Sequence, residues 1–171
     1  MTTLNDIASS EYSDYFKMYL DLVDQNQGIL DTLTVSKNNT IQFLETLDRP
    51  LDYSYAPGKW NIAQVIMHNI DTERVFQYRA LRFMRGDGTE LAGFDQDIFV
   101  DSLKEHAFAK ADLLKSFKAT RNATIALFDG AKKDELKLSG IASGKSMSAR
   151  VIPFLIAGHN LHHEDIIRER Y

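Results

Sequence analysis

Apolar residues recur along the chain with the three- and four-residue spacing of helices, and that rhythm predicts four main helices. The first runs from about Ile29 to Leu47, with Leu30, Leu33, Ile41, Leu44 and Leu47 in step. Pro50 and then Ala56-Pro57-Gly58 break the pattern. It resumes behind Asn61, a residue type that caps helix starts, and carries Ile62, Val65, Ile66, Val75, Phe76, Leu81 and Phe83 before Gly86-Asp87-Gly88 ends it. A third helix is expected from about Ser102 to Phe128, and a fourth from about Ala149 to the C-terminus.

Between and ahead of these lie shorter segments. Glu11 to Asp24, rich in Tyr, Phe and Leu, predicts a short amphipathic helix; its Tyr12, Tyr15, Phe16 and Tyr19 would cover the core or an interface. Residues 86–101 form a long connection holding Gly93-Phe94-Asp95-Gln96-Asp97, and residues 140–148 a loop of small side chains. No stretch alternates with period two for long enough to predict a strand, Tyr53-Ser54-Tyr55 being too short. The fold class expected is therefore all-α, a four-helix bundle with a long crossover between the second and third main helices.

Composition narrows the class. A length of 171 residues suits one domain spanning 1–171, and 44% hydrophobic with 26% charged residues matches soluble globular chains rather than disordered ones. The net charge of −4 lacks the basic excess that draws proteins to nucleic acid. Cys is absent, which removes disulfides, thiolate ligands and a cysteine nucleophile together. The opening residues have no basic or apolar leader pattern, and the longest apolar stretch, Val151 to Gly158, is far short of the ~20 residues of a membrane span. A cytoplasmic protein without membrane or nucleic-acid partners is the expectation.

The last helix carries the chemistry. Positions 152, 155, 156, 159, 163, 166 and 167 share one helical face, which is apolar except at His159 and His163. Four residues turn a helix by about 400°, so the two imidazoles stand one turn apart and nearly in line, where one divalent ion can take both. Two neutral imidazoles on an apolar stripe otherwise leave ring nitrogens unpaired, at about 1–3 kcal/mol each. Zinc-protease helices place a Glu directly after the first His or before the second; here Asn160 and His162 stand there, so that general base is missing. His162 falls at the edge of the stripe.

A third ligand is needed, from His68, His106 or a carboxylate. His106 sits in the charged pattern Lys104-Glu105-His106 and is expected at the surface. His68 lies within Val65-Ile66-Met67-His68, at bundle depth, with Asp71 and Thr72 three and four residues on. It is either a ligand or a core histidine bonded to one of those two.

Several motifs occur in a familiar order: Tyr55-Ala-Pro-Gly-Lys-Trp60-Asn-Ile, His68-Asn-Ile-Asp71-Thr-Glu73-Arg-Val-Phe76, Gly93-Phe-Asp95-Gln-Asp97, and Ala157-Gly-His159 followed by Leu161-His-His163. From about Ile29 onward the chain resembles the DinB-like superfamily, which includes the bacillithiol transferases. The resemblance implies an up-down-down-up bundle. It also implies a divalent metal, zinc or nickel first and iron or manganese after them, held by one His of the second helix and a His-x-x-x-His pair of the last. Carried over, the metal ligands are His68, His159 and His163. Pro153 departs from the pattern and must sit in the first turn or kink the helix.

Three His ligands leave a position open for water or substrate, as in a working zinc site. The resemblance thus implies a metal-dependent enzyme acting on a small molecule, with thiol S-transfer first and metal-assisted hydrolysis second. The alternative is a non-catalytic, stress-related bundle with a structural metal or a ligand-sensing pocket. Without Cys, the thiol has to come from a low-molecular-weight cosubstrate. Asp71, Glu73, Gln96, Asp97, His162 and Glu164 are candidates for orienting substrate or handling protons, and none is assigned as catalytic. Trp60 is expected to anchor the entry of the second helix, with a place at the mouth of the site left open. Family members often form homodimers, and a homodimer stays open here.

Overall fold

The computed structural model describes residues 2–171. The N-terminal segment is a chain of 3-10 turns, Leu4–Asp6, Ser9–Glu11 and Asp14–Phe16, leading into a one-turn helix α1 (Lys17–Leu20). The continuous helix expected from Glu11 to Asp24 does not form. Tyr12 is extended and bridges Met147, and the Ser13 amide donates to the Ser146 carbonyl, so this backbone is spent on a neighbouring strand. At the other end Gln25 Nε2 donates to the carbonyls of Leu20 and Val23, at 2.9 and 3.1 Å, and closes α1.

The bundle itself follows the apolar rhythm. Helix α2 (Ile29–Thr46) and helix α3 (Ile62–Met84) lie within a residue or two of the expected bounds. Asn61 and Gln64 form a reciprocal cap on α3, each side chain accepting from the other's backbone amide at 2.9 and 2.8 Å. The crossover contains a short helix α4 (Gln96–Asp101), capped by Asp95, whose carboxylate accepts from the amides of Asp97 and Ile98. Helix α5 is Lys110–Asp129, shorter than the expected start at Ser102. Residues 104–107 are exposed and have no apolar stripe to bury, so nothing draws them into the helix.

Helix α6 (Lys133–Leu136) then precedes a hairpin of β1 (Ser139–Ala142) and β2 (Lys145–Ser148), paired antiparallel from Ser139↔Ser148 to Ala142↔Lys145. A small-residue loop was the expectation. The hairpin closes through Ser143 and Gly144, both at positive φ (54° and 69°), which is the geometry of a two-residue type I′ turn. A 3-10 turn, Ala149–Val151, leads into helix α7 (Ile152–Arg170), and Pro153 occupies its first turn, where no backbone donor is needed.

Helices α2 and α3 occupy opposite corners, each packed against both α5 and α7. Lys110 reaches the carbonyl of Leu47 while Arg121 reaches that of Leu33, so α5 runs antiparallel to α2. Phe76, Ala80 and Phe83 pack with the start of α7, and Ile62 to Ile70 with its end, so α7 runs antiparallel to α3. The order is up-down-down-up. Two apolar cores result, one around Leu33, Phe83 and Ile152 and one around Ile62, Phe117 and Ile167. A belt of buried polar residues separates them, with Thr40 on α2, His68 and Glu73 on α3, Arg121 on α5, and His159 and Glu164 on α7. Among the described residues no helix is long and apolar enough to cross a membrane.

Candidate metal centre

The polar belt holds a histidine triad. His68 comes from the second turn of α3, and α7 supplies His159 and His163 from successive turns. The Nε2 atoms of His68 and His159 are 3.2 Å apart, and one nitrogen from each of the three rings lies within 4.8 Å of the others. Ring centroids are 5.0 Å (His68–His159), 4.8 Å (His68–His163) and 4.6 Å (His159–His163) apart. His68 and His159 are buried and His163 is half-buried.

Local partners do not account for His68. Asp71 pairs instead with Arg74 at 2.8 Å, and the Thr72 hydroxyl is buried with no hydrogen-bond partner among the described residues. The core-histidine alternative based on those two residues therefore has no support. Aromatic rings hold the imidazoles in place: Trp60 lies 5.1 Å from His68, and Tyr19 stands edge-on to His159 at 5.3 Å and to His162 at 5.5 Å.

Burial keeps the triad neutral. It lowers the pKa of His68 to about 4 and, with repulsion from His68 and His162, that of His163 to about 3. His159 is pushed well below the ordinary value by burial first and by its three neighbouring imidazoles second. At neutral pH each ring thus carries a free lone pair, the form in which imidazole binds a metal. Tetrahedral zinc with nitrogens at ~2.0–2.1 Å spaces its ligands by about 3.3 Å, close to the 3.2 Å between His68 and His159. The three residues fit a divalent ion.

Cavities open on two sides of the triad. One, of about 190 Å³, is lined by His68, His159, Tyr19, Thr72, Arg79 and Ser143 among others. The other, of about 300 Å³, is lined by His163 with Trp60, Asp97, Ile166 and Tyr171 among others. Trp60 thus both lines a mouth and anchors the chain, its carbonyl accepting from the Tyr171 hydroxyl at 2.7 Å.

The remaining candidates divide by place. Gln96 lines the first cavity and Asp97 the second. His162 is half-buried at the edge of the stripe, against Tyr19. Glu164 is buried and pushed up in pKa by burial; it accepts from the hydroxyl of Thr40 and pairs with Arg168 at 3.2 Å. Glu73 belongs to the scaffold: Arg121 grips both its oxygens at 2.8 and 3.0 Å, and Thr124 donates to it at 2.6 Å. His106 is exposed and stacks on Phe108. Arg79 and Tyr19 are among the lining residues that escaped the sequence reading. Arg79 stands eleven residues beyond His68, within about 20° of the same helical face, and that phase was a usable signal. Tyr19 gave none, because only the packing of α1 on α7 brings it there.

The profile of the DinB superfamily matches residues 32–167, most of the chain. Among solved structures the chain resembles YfiT from Bacillus subtilis, described as a probable metal-dependent hydrolase with an unusual four-helix bundle topology. The TM-score is 0.67 at 14% identity, covering 99% of this chain and 90% of that one. No curated protein matches.

Proposed function

The chain belongs to the DinB superfamily, and on that footing we propose that it is a metal-dependent enzyme acting on a small molecule, with His68, His159 and His163 as the ligands of a divalent ion. The observation that carries this reading is the convergence of three neutral imidazoles, from two helices, on one point beside a cavity. A divalent ion bound there supplies Lewis acidity, lowering the pKa of a ligated thiol or water so that a nucleophile exists at neutral pH. The chain's own part is to hold the three rings, to exclude solvent with Tyr19 and Trp60, and to shape the space beside them.

Thiol transfer is the first reading. Among the described residues no carboxylate lines the cavity against His68 and His159, so that wall offers no general base for water. A thiol, with its ordinary pKa of ~8.5, needs less help. Hydrolysis is the second reading, favoured by the likeness to YfiT, with Asp97, which lines the same cavity as His163, as a carboxylate able to act on water there.

The test is elemental analysis of untagged protein, followed by turnover of an electrophile with and without a small thiol, before and after chelation. Metal-dependent consumption of the thiol supports transfer, and metal-dependent ester cleavage without it supports hydrolysis. A chain that holds metal and turns over neither, with unchanged stability after chelation, would instead favour a ligand-sensing bundle.

A further inference from the structure

Arg79 is buried without a counter-ion. Its relative exposure is 6%, and its hydrogen bond runs from Nη2 to the Ser143 hydroxyl at 2.8 Å. The ring of Phe76 lies against the guanidinium at 5.4 Å, and among the described residues no carboxylate pairs with it. Arg121 supplies the contrast, since its fork is filled by both oxygens of Glu73. A guanidinium has five donors, and leaving most of them unanswered in a buried position is costly.

A second buried group beside it is also unanswered. The Thr72 hydroxyl is 5% exposed by residue, has no hydrogen-bond partner among the described residues, and lines the same cavity as Arg79. Lys145 lines that cavity too, its ammonium 4.4 Å from the Tyr15 ring, while no Asp or Glu does among the described residues. His68, Thr72 and Arg79 follow one another up a single face of α3. Eleven residues rise about 16 Å, and side chains lean toward the helix N-terminus, so Arg79 is angled back toward the triad. A planar donor fork, a free hydroxyl and a nearby ammonium around one space are what an oxyanion satisfies.

We propose that this cavity selects small molecules bearing a carboxylate or phosphate, with the oxyanion held by Arg79 and Thr72 and the reacting end at the histidine triad. The placement of the reacting end rests on the metal-dependent reading above; the anion site does not.

The experiment titrates the full chain, stripped of metal by chelation, with succinate, inorganic phosphate and neutral succinamide, followed by amide NMR. Saturable shifts around Thr72, Arg79 and Ser143 are expected with an anion and not with succinamide, and the stronger of succinate and phosphate identifies the oxyanion. Arg79→Gln should weaken binding at least tenfold, Arg79→Lys by less, and Thr72→Val several-fold. Binding undiminished in Arg79→Gln, or no saturable site for either anion, overturns the proposal. Should Arg79→Gln fail to fold, undiminished binding in both Arg79→Lys and Thr72→Val overturns it equally. Zinc content of the Arg79 variants separates the two readings: zinc kept with anion binding lost supports this one. Zinc absent from every form with anion binding intact defeats only the metal reading.

Discussion

His68 and His159, 91 positions apart in the chain, bring their Nε2 atoms to 3.2 Å in the buried middle of the bundle. With both rings neutral, the contact is either one shared proton or two lone pairs directed at one cation. Two lone pairs facing each other without either would repel. His163 adds a third nitrogen within the same 4.8 Å group, and a single shared proton cannot satisfy three acceptors.

Zinc should therefore raise the thermal midpoint of the chelated wild-type chain. His159→Ala should abolish that rise and weaken zinc binding by more than about 100-fold, since even loss of a residue behind a ligand costs 10–100-fold. Calorimetric titration of both forms checks it. An equal zinc affinity in the variant would remove His159 from the ligand set.

The same burial sets a pH dependence for the metal-free chain. His68 titrates at about 4 and His163 at about 3 in the folded state, against about 6.5 when unfolded. Below pH 6.5 the unfolded chain binds protons that the folded chain does not, so folding weakens as pH falls from about 6.5 toward 4. The contribution of His68 alone is on the order of 3 kcal/mol across that window. Urea midpoints at pH 7.5, 5.5 and 4.5 should fall in that order, and less steeply in His68→Ala.

Glu73 and Arg121 define the part of the polar belt that is scaffold. Their side chains are 1% and 0% exposed, so removing one leaves the other charged and buried. Glu73→Ala should cost about 3–5 kcal/mol by denaturant unfolding. Zinc stoichiometry at low temperature should stay that of the wild type, because neither residue belongs to the triad. A stable Glu73→Ala protein would mean that Arg121 finds another partner.

The bundle helices and the His159–His163 pair were legible because both repeat at helical spacing: Leu33 and Leu44, Ile62 and Ile66, His159 and His163 each state their phase in the sequence, whereas spacing left His68 open and only the family resemblance joined it to the pair. What escaped depends on contacts between distant segments. Strands of four residues are too short to display alternation, and only the Ser143-Gly144 pair, with both φ values positive, marked the hairpin. The pairing of Tyr12 with Met147 broke a helix whose composition favoured it. Glu73 stayed among the unassigned candidates because its partner, Arg121, lies on another helix 48 positions away.

Gly158, directly before His159, is where the scaffold and the site meet. A Cβ built on it would lie 2.1 Å from the carbonyl oxygen of Tyr19 and 2.7 Å from its carbonyl carbon, both backbone atoms that no rotamer change can move aside. The absent side chain lets α1 lie against α7 and sets the Tyr19 ring edge-on to His159. Gly158→Ala must push α1 outward, and overpacking of this kind costs about 1–3 kcal/mol even where side chains can adjust. A loss of at least about 2 kcal/mol is expected despite the better helix propensity of Ala. Zinc affinity should fall as well, because His159 loses the ring that holds it. Gly88→Ala is the control: nothing lies within 4 Å of its Cβ position, and its stability should change by less than about 0.5 kcal/mol. If the two variants unfold at the same denaturant concentration, the close approach of Tyr19 to α7 is not what seats the triad.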